Sequence, residues 1–549
     1  MKVLFIVPEI RLDSHPTNIP FWAGILASIV EEKGGQVAIL DLNALRMNYD
    51  KQFVPDELIR REVSSEKWDL IGIGGLTSTY GRTKYLCRLV RRENPESVFV
   101  GGGGWSTYNP TEILQLVPEL DMICIGEGEL TFTELYDEVS SGGTNFEKID
   151  GLCLRDGDSF SFTKPRALIS DLDTIPYPYY DILELDIYFK YSQIWYSKEA
   201  MMAKRRLSTV WERGCPRGCT FCSHNGMSRI DLQNIYGDGD RRTGEKLVRI
   251  SDKENDTFQL PARWPSAKYA VNNIKLLNEK YGMDFFMSVD ENMTSNKKWT
   301  DEFCSLYIDE GLDKIVKWGT LGDAPSVATK PELVKTLVDA GCTYISFGFE
   351  SASDKVLNED IQKGQTRAHL QKTLDTIQSS GLRPITTFMI GNAHEDINDL
   401  METVDFWIQN DAVVDPFICT PYVGSPIFYE NSDYILGQYD ERIKLVNDGK
   451  FKADPESVKS WKLQAMDKFM KECGDAFDYT ATVSQNFSIP ELFALKRFMY
   501  KHDTRRMLQW AHQRYKETGL KQWKVSDKWK KYDPVKIAEQ ELAEKIDVN

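Results

Sequence analysis

The chain has 549 residues, enough for three to four domains at roughly 150 residues per domain. Apolar residues make up 41% and charged residues 27%, the mix of a well-packed soluble protein rather than a disordered one. The net charge of −16 argues against nucleic acid as the main partner. The opening MKVLFIVPE reaches a proline and a glutamate too soon for a signal peptide, and the apolar run at 21–30 is about half a membrane span. We therefore expect a cytoplasmic protein without a transmembrane segment.

Residues 1–141 alternate unbroken apolar runs with stretches of helical spacing. The runs stand at 2–7, 36–42, 68–75, 97–102 and 120–126. Five such strands separated by helices predict a doubly wound, Rossmann-like parallel sheet covered on both faces. Ligands of these sheets bind beyond the carboxyl ends of the strands, and those ends here read GGLTST, GGGGWST and GEGE.

Residues 142–204 are rich in loop sequence, and we expect a linker that wraps between two domains. A second β/α series follows over 205–430. Its predicted strands are 207–212, 285–289, 314–320, 343–349, 384–391 and 415–422. Six β/α units predict a partial TIM-type barrel, whose chemistry belongs at the carboxyl ends of the strands.

Residues 431–549 are predicted to form a helical domain. The segment 496–531 contains twelve Lys or Arg and only three Asp or Glu, and tryptophans lie among them. This composition is typical of solvated helices packed on the barrel. Peripheral contact with a membrane surface or with an anionic substrate is the alternative.

The strongest chemical signal is RGCPRGCTFCSH at 213–224, which contains Cys215, Cys219 and Cys222. Ten cysteines are too few for a disulfide framework, but three thiolates on one Gly/Pro loop can converge on a metal centre. In a 4Fe–4S cluster, three ligands leave one iron open to bind a small molecule. The alternative is zinc completed by His224, although structural zinc usually uses paired Cys-x2-Cys knuckles in a small module.

The Cys-x3-Cys-x2-Cys spacing, with Phe221 before the last cysteine and a β/α series behind it, resembles the radical S-adenosylmethionine (SAM) enzymes. The resemblance implies that the open iron binds SAM, and that one electron cleaves SAM to a 5′-deoxyadenosyl radical. It also implies that VDENMT (289–294) meets the methionine amino group through Asp290 and Glu291. Taken by themselves, these two residues could instead form a helix N-cap.

Three later segments resemble further parts of the same family. FGFESASDKVLNEDIQKGQT (347–366) resembles the fourth-strand segment, which implies that Glu350 and Ser351 lie near the ribose or methionine. Taken alone, Glu350 could be a buried carboxylate paired to a lysine. FMIGNAHE (388–395) resembles the fifth-strand motif that lies along the adenine, which implies that Met389 and Ile390 contact the adenine. TPYVGSPIF (420–428) resembles the sixth-strand segment.

The N-terminal domain resembles the cobalamin-binding domain that precedes the barrel in one large subfamily. The resemblance is carried by VGGGGWSTYNP and DMICIGEGE, whose Gly-rich turns let a nucleotide tail approach the backbone. The candidate contacts are Thr77, Ser78, Gly102, Gly103 and Glu127. A nucleotide- or flavin-binding sheet, or a sheet with no ligand, is the alternative. DSHPTN (13–18) nearly matches a cobalt-ligating D-x-H-x-x-G motif, but it lacks the glycine, so we interpret His15 as part of a surface loop.

The resemblance implies a cobalamin-dependent enzyme that methylates an unactivated carbon through methylcobalamin and the 5′-deoxyadenosyl radical. The alternatives are an oxidative cyclase or ring-rearranging enzyme similar to the anaerobic chlorophyll-ring cyclase, a methylthiotransferase, and a non-catalytic zinc- or cobalamin-binding sensor. A small molecule, lipid, tetrapyrrole or peptide would fit as substrate, and ferredoxin or flavodoxin would fit as electron donor. The charged insertion at 225–262 is interpreted either as a cap on the site or as a surface insertion.

Overall fold

The computed structural model describes two parallel sheets, the segment between them and a set of C-terminal helices. The described residues are 1–10, 12, 14–157, 159–192, 194, 196–223, 262–410, 413–475 and 481–500.

The first sheet lies in the N-terminal part of the chain and has the strand order β2-β1-β3-β4-β5-β6-β7. Its strands are β1 (Lys2–Val7), β2 (Gln36–Asp41), β3 (Leu70–Gly74), β4 (Val98–Gly102), β5 (Met122–Cys124), β6 (Leu152–Asp156) and β7 (Ser159–Phe162). The first five are parallel, as predicted, because their apolar runs are buried under helices on both faces. The short strands β6 and β7 add an antiparallel edge, so the sheet continues beyond residue 141.

The second sheet contains six parallel strands in sequence order, from β8 at one edge to β13 at the other. They are β8 (Arg206–Thr209), β9 (Phe285–Ser288), β10 (Lys317–Gly322), β11 (Cys342–Glu350), β12 (Arg383–Ile390) and β13 (Val413–Ile418). This open curved sheet is the predicted partial barrel, and each strand lies within a few residues of its expected position.

Helices separate the strands of both sheets and make up most of the described C-terminal region. Before β8 they are Phe21–Glu32, Leu42–Leu45, Asp56–Val63, Tyr80–Glu93, Gly104–Thr107, Pro110–Leu116, Glu129–Ser140, Leu185–Tyr191 and Lys198–Met202. Those of the barrel are Ala267–Tyr281, Lys297–Asp309, Ala324–Thr329, Glu332–Asp339, Asp354–Val356, Arg367–Ser379 and Ile397–Asn410. The C-terminal ones are Pro426–Glu430, Ser432–Gly437, Glu441–Asn447, Pro455–Asp475 and Ile489–Tyr500.

The segment between the sheets is held by both of them. The Tyr179 amide donates to the carbonyl of Gly24 at 2.9 Å, and the Tyr177 hydroxyl donates to the carbonyl of Tyr269 at 2.8 Å. Gly24 lies on the first helix, and Tyr269 lies on a barrel helix. The segment therefore fixes the two sheets relative to each other, while its limits as a linker stay a prediction.

The C-terminal helices, which were predicted, pack against both halves. The helix Pro455–Asp475 lies on the helix Tyr80–Glu93, where the Lys84 ammonium is 2.7 Å from an Asp467 oxygen. The helix Ile489–Tyr500 packs on β13. Most of the predicted basic stretch at 496–531 lies outside the described residues.

Candidate active site

The cysteine loop follows β8 at the carboxyl edge of the barrel. Its three cysteines form no disulfide and are at least partly buried: Cys215, Cys219 and Cys222. The Thr220 amide donates to the carbonyl of Ile361 at 3.1 Å, and the Thr220 carbonyl accepts from the amide of Ile427 at 2.9 Å. The loop is thus fixed between the segments that follow β11 and β13.

Tyr108, from the first sheet's domain, also holds this loop. Its side chain is buried, and its hydroxyl donates to the carbonyl of Ser223, next to the third cysteine. Its ring occupies the space that a Cβ at Gly424 would need, and Gly424 has a φ of +101°, which favours glycine. Tyr108 therefore connects the N-terminal domain to the cysteine loop.

The thiols lie in an environment that disfavours free thiolates. Burial raises the pKa of Cys215 to about 12. Burial also raises the pKa of Cys219, against the opposing effect of the Lys363 ammonium. Since iron binds the thiolate, ligation must displace these protons. Among the described residues, no three His, Cys, Asp or Glu side chains could hold one metal ion, whereas the ligands of a four-iron cluster bind separate irons.

Asp290 follows β9 and is fully buried. One of its oxygens accepts from the amides of Trp211 and Glu212, both at 2.6 Å. The other accepts from the Ser288 hydroxyl at 2.6 Å. Burial raises the pKa of Asp290, and these hydrogen bonds oppose that shift. Asp290 thus fastens the end of β9 to the start of the cysteine loop, and the residue that caps the following turn is Asn292.

Glu350 ends β11 in a backbone conformation that is rare for a residue with a side chain. Its φ is +60°, and such strain collects at functional sites. Its carboxylate is 2.7 Å from the Lys363 ammonium, which also donates to the carbonyl of Gly348 at 2.7 Å. Glu350 therefore has the lysine partner that the sequence analysis gave as its alternative role. The next residue, Ser351, is fully buried, with its hydroxyl 3.1 Å from that of Thr403.

Met389 and Ile390 are buried at the end of β12, before a tight turn. The Glu395 carboxyl accepts from the amide of Gly391 at 2.6 Å and from that of Asn392 at 3.2 Å. Burial raises the pKa of Glu395 to about 8, although both amide bonds favour its ionised form. Glu395 therefore shapes the turn on which the predicted adenine contacts lie.

A cavity of about 470 Å³ lies between the N-terminal sheet and the barrel. The Gly-rich ends of β3, β4 and β5 form one wall, and the residues that lead into the cysteine loop form the other. Four of the residues predicted to contact a cofactor line this cavity: Gly102, Gly103, Glu127 and Glu291. A Cβ at Gly74 would lie 2.6 Å from the Trp22 ring, so this position of the wall has no room for a side chain.

Two other predicted contacts, Thr77 and Ser78, are not among the described residues that line this cavity. Thr77 is buried, and its hydroxyl is 3.5 Å from the carbonyl of Val423 in the loop after β13. Ser78 is half-buried in the turn Thr77–Thr79. Thr77 thus contacts a barrel loop, and the role of both residues as cofactor contacts stays a prediction.

Four charged side chains join the two domains beside the cavity. The Glu127 carboxylate is 2.6 Å from one nitrogen of Arg263 and accepts from the amide of Ile169 at 2.9 Å. Arg213 pairs with Glu129 and lies 3.6 Å from Glu127. The backbones of the two arginines also pair as an antiparallel bridge. Glu127 thus serves as an interdomain anchor as well as a cavity residue.

Comparisons with known proteins agree with this geometry. Residues 210–406 match the radical SAM superfamily, and residues 9–136 match the B12 binding domain. The chain therefore contains a radical SAM domain. Its B12 binding domain precedes the radical SAM domain, and the cofactors of this combination are a 4Fe–4S cluster, SAM and cobalamin.

Individual relatives cover most of the chain. An uncharacterized methyltransferase of Pyrococcus horikoshii is 28% identical over 78% of this chain and 82% of its own length. An anaerobic magnesium-protoporphyrin IX monomethyl ester cyclase of Rubrivivax gelatinosus is 25% identical over 79% of this chain and 71% of its own. The structure of TsrM, a radical SAM methyltransferase from Kitasatospora setae, superposes with a TM-score of 0.61 at 14% identity, over 79% of this chain and 75% of that one.

The residues present suit the three cofactors of the radical SAM and B12 binding domains. Three cysteine thiols on one loop provide the ligands that a cluster with one open iron needs. Glu291, Glu350 and the turn after Ile390 lie at the ends of β9, β11 and β12, on the edge of the barrel where SAM is expected. The Gly-rich cavity wall admits the backbone approach that a cobalamin tail requires.

His15 lies away from the lining of the cavity. Its ring stacks on that of Tyr191, with the centroids 5.5 Å apart and the planes 10° from parallel. Burial lowers the pKa of His15, and the positive charges of Lys51 and Arg46 add to this. The structure thus places His15 in a packed loop, whereas Asp13 of the same motif lies outside the described residues.

The sequence reasoning missed several residues that hold the site together: Tyr108, Glu129, Glu212, Arg213, Arg263 and Lys363. Glu212 and Arg213 directly precede the first cysteine of the motif. This position in the sequence is the signal that could have identified them as site residues. His224, as a zinc ligand, and the insertion at 225–261 lie outside the described residues. None of the described helices has the length and apolar character to cross a membrane.

Proposed function

We propose that this radical SAM enzyme is a cobalamin-dependent methyltransferase that acts on an unactivated carbon. The observation that carries the proposal is the single cavity shared by the B12 binding domain and the start of the cysteine loop. A ligand held on the Gly-rich wall lies next to the loop that would hold the cluster. The methyltransferase relatives support this assignment, and the cyclase relatives make an oxidative cyclase the alternative.

The chain's own residues would bind and orient the cofactors. Cys215, Cys219 and Cys222 would hold the cluster, and Asp290 keeps their loop in place through the backbone of residues 211 and 212. When bound, these cofactors supply a 5′-deoxyadenosyl radical for hydrogen abstraction and a cobalt-borne methyl group. Tyr108 and the segment after β13 hold this loop in position through hydrogen bonds to the carbonyls of Ser223 and Thr220.

The substrate is proposed only as a class: a small molecule, lipid, tetrapyrrole or peptide with an unactivated carbon. The chemistry requires one-electron reduction of the cluster, so we also propose ferredoxin or flavodoxin as the donor. A cytoplasmic location would suit such a donor.

The reaction type can be tested without the substrate. The reconstituted protein is incubated anaerobically with hydroxocobalamin, a low-potential reductant and SAM labelled with CD3. We expect S-adenosylhomocysteine and CD3-labelled methylcobalamin, together with slow release of 5′-deoxyadenosine. The Cys215→Ala/Cys219→Ala/Cys222→Ala variant is the control and should release no 5′-deoxyadenosine.

Each alternative reaction gives a different product pattern. An oxidative cyclase would release 5′-deoxyadenosine without S-adenosylhomocysteine or labelled methylcobalamin, and that result would contradict the methyltransferase proposal. Release of 5′-deoxyadenosine by the triple-alanine variant would contradict the assignment of the cluster ligands.

A further inference from the structure

The segment that follows β11 wraps around the cysteine loop. The Thr220 amide donates to the carbonyl of Ile361 at 3.1 Å. Three residues further along this segment, a Cβ at Gly364 would lie 3.6 Å from the Arg217 guanidinium. These two loop residues lie on either side of Cys219 in the chain, so the segment runs alongside this cysteine.

Lys363 belongs to the same segment, and its ammonium group is held in place. Its side chain is only 12% exposed, and the ammonium is 2.7 Å from the Glu350 carboxylate. It also donates to the carbonyl of Gly348 at 2.7 Å. A Cβ at Gly348 would lie 2.6 Å from the ammonium nitrogen, so Lys363 fills the space beside this glycine. A buried lysine with two fixed partners has a defined position, unlike a mobile lysine at the surface.

The charge of Lys363 acts on the Cys219 thiol. Burial raises the pKa of Cys219, and the Lys363 ammonium opposes this more strongly than the Glu350 carboxylate adds to it. Burial also disfavours the charged form of Lys363, but Glu350 and Cys219 outweigh burial and raise the pKa of the lysine above its usual value. Lys363 is therefore a cation at neutral pH, and its effect at Cys219 exceeds that of its own counterion.

The neighbouring acidic groups at Cys215 act in the opposite direction. The carboxyl groups of Glu212 and Glu291 add to burial in raising the pKa of Cys215. When a 4Fe–4S cluster goes from its 2+ to its 1+ state, it gains one electron from the donor and hence one negative charge. Acidic neighbours disfavour that electron and a buried cation favours it, because charges interact strongly where water is excluded. Lys363 is therefore placed to counteract the acidic side of the loop.

We propose that Lys363 sets the reduction potential of the cluster, with its fixed ammonium group stabilising the reduced state beside Cys219. Glu350 and the Gly348 carbonyl hold the ammonium in position. Lys363 thus acts on the reaction through the cluster, which it makes easier for the donor to reduce. The inference rests on the part of the proposed function that places the cluster on the three cysteines, and it holds for methyl transfer and oxidative cyclisation alike.

The test measures the midpoint potential of the reconstituted cluster without SAM or cobalamin, so that contacts to those cofactors do not contribute. The protein is poised anaerobically with dithionite and redox mediators, and the reduced cluster is quantified by electron paramagnetic resonance. Lys363→Met keeps the length of the side chain and removes its charge. We expect the ratio of reduced to oxidised cluster at a fixed potential to fall about tenfold, which equals about 59 mV for one electron. Lys363→Arg keeps the charge and should stay within about threefold of the wild type.

Removal of the counterion should have the opposite sign. Glu350→Gln keeps the ammonium and removes the negative charge, so the reduced fraction should rise, with a ratio about threefold above the wild type. Damage to the loop would shift both variants in the same direction. Lys355→Met is the matched control, because Lys355 follows β11 in the same segment and is paired with Asp399, but its side chain is 42% exposed. Water screens that charge, so the potential should not change.

The outcomes separate an electrostatic role from a structural one. An unchanged potential in Lys363→Met, shifts of the same sign in Lys363→Met and Glu350→Gln, or an equal shift in Lys355→Met would contradict the inference and leave the proposed function in place. If Lys363→Met binds no cluster, Glu350→Gln still decides, since an unchanged potential in that variant would contradict the inference. Wild-type protein that binds no iron–sulfur cluster would contradict the proposed function and this inference together.

Discussion

At the scale of single residues, the site depends on acidic side chains that the fold keeps away from water. Asp290 braces the cysteine loop through two backbone amides, and Glu350 is paired with Lys363 in a strained backbone conformation. Glu395 organises the turn after β12. Each would be costly to bury without its hydrogen bonds or its cation. Local interactions thus fix the ends of three barrel strands before any cofactor binds.

The raised pKa of Glu395 predicts a pH-dependent stability. The folded-state pKa is about 8 and the ordinary value is 4.5. Between these values the unfolded chain releases the proton while the folded chain keeps it, so the free energy of unfolding falls as pH rises. Glu395→Gln removes this titration. Its stability relative to the wild type should therefore rise by roughly 1 kcal/mol per pH unit from about pH 5 to 8 and then level off.

Urea unfolding of the cofactor-free protein at four pH values measures this difference. The surface variant Glu96→Gln, in which an exposed ion pair with Lys67 is lost, should show no comparable slope. A difference between Glu395→Gln and the wild type that stays constant with pH would rule out a buried proton on Glu395.

At the scale of secondary structure, the helix Pro455–Asp475 is the main link between the C-terminal region and the B12 binding domain. Asp467 accepts from the Tyr80 hydroxyl at 2.5 Å and from the Lys84 ammonium at 2.7 Å. The Lys471 ammonium is 2.6 Å from its other oxygen. Lys84 is buried, and Asp467 is the carboxylate that pairs with it across the two helices.

Asp467→Ala should therefore loosen the contact between the two helices. It leaves the buried Lys84 without a counterion, which we expect to cost about 3 kcal/mol of stability. Hydrogen–deuterium exchange should become faster in both Tyr80–Glu93 and Pro455–Asp475. Asp448→Ala, which removes an exposed pair with Lys450, is the control and should leave both helices unchanged. Exchange rates as slow as those of the wild type would show that apolar packing alone holds the helices together.

The strands could be predicted from the sequence because buried parallel strands appear as unbroken apolar runs. The predicted run at 2–7 coincides with β1, and that at 285–289 exceeds β9 by one residue. The antiparallel edge was harder to recognise, since β7 is a four-residue strand in which exposed and half-buried positions alternate. Such a short amphipathic run differs little from a loop.

The site was predictable only where its residues are close together in the chain. Three cysteines within eight residues predict a metal-binding loop directly. Glu129 and Glu212 gave no such signal, because their environment is created by pairs between distant parts of the chain. Arg263, which bonds Glu127 across the domain interface, follows a long charged insertion and belongs to no recognisable motif.

At the scale of the whole molecule, the two domains meet at the carboxyl ends of both sheets. Their shared cavity is lined by Glu127, Glu129 and Arg213, and by Leu172 and Ile175 of the segment between the sheets. An enzyme that uses both a cluster and cobalamin needs the two cofactors close together. The arrangement of the domains supplies this proximity, because each domain presents its ligand-binding edge to the other.

The account's central claim is that one chain holds both a 4Fe–4S cluster and cobalamin. The most direct measurement is the ultraviolet–visible spectrum of anaerobically reconstituted protein after mixing with hydroxocobalamin and desalting. The account predicts retained corrinoid bands together with a broad iron–sulfur absorption that disappears in the Cys215→Ala/Cys219→Ala/Cys222→Ala variant. A cluster without retained corrinoid, or zinc in place of the cluster, would contradict it.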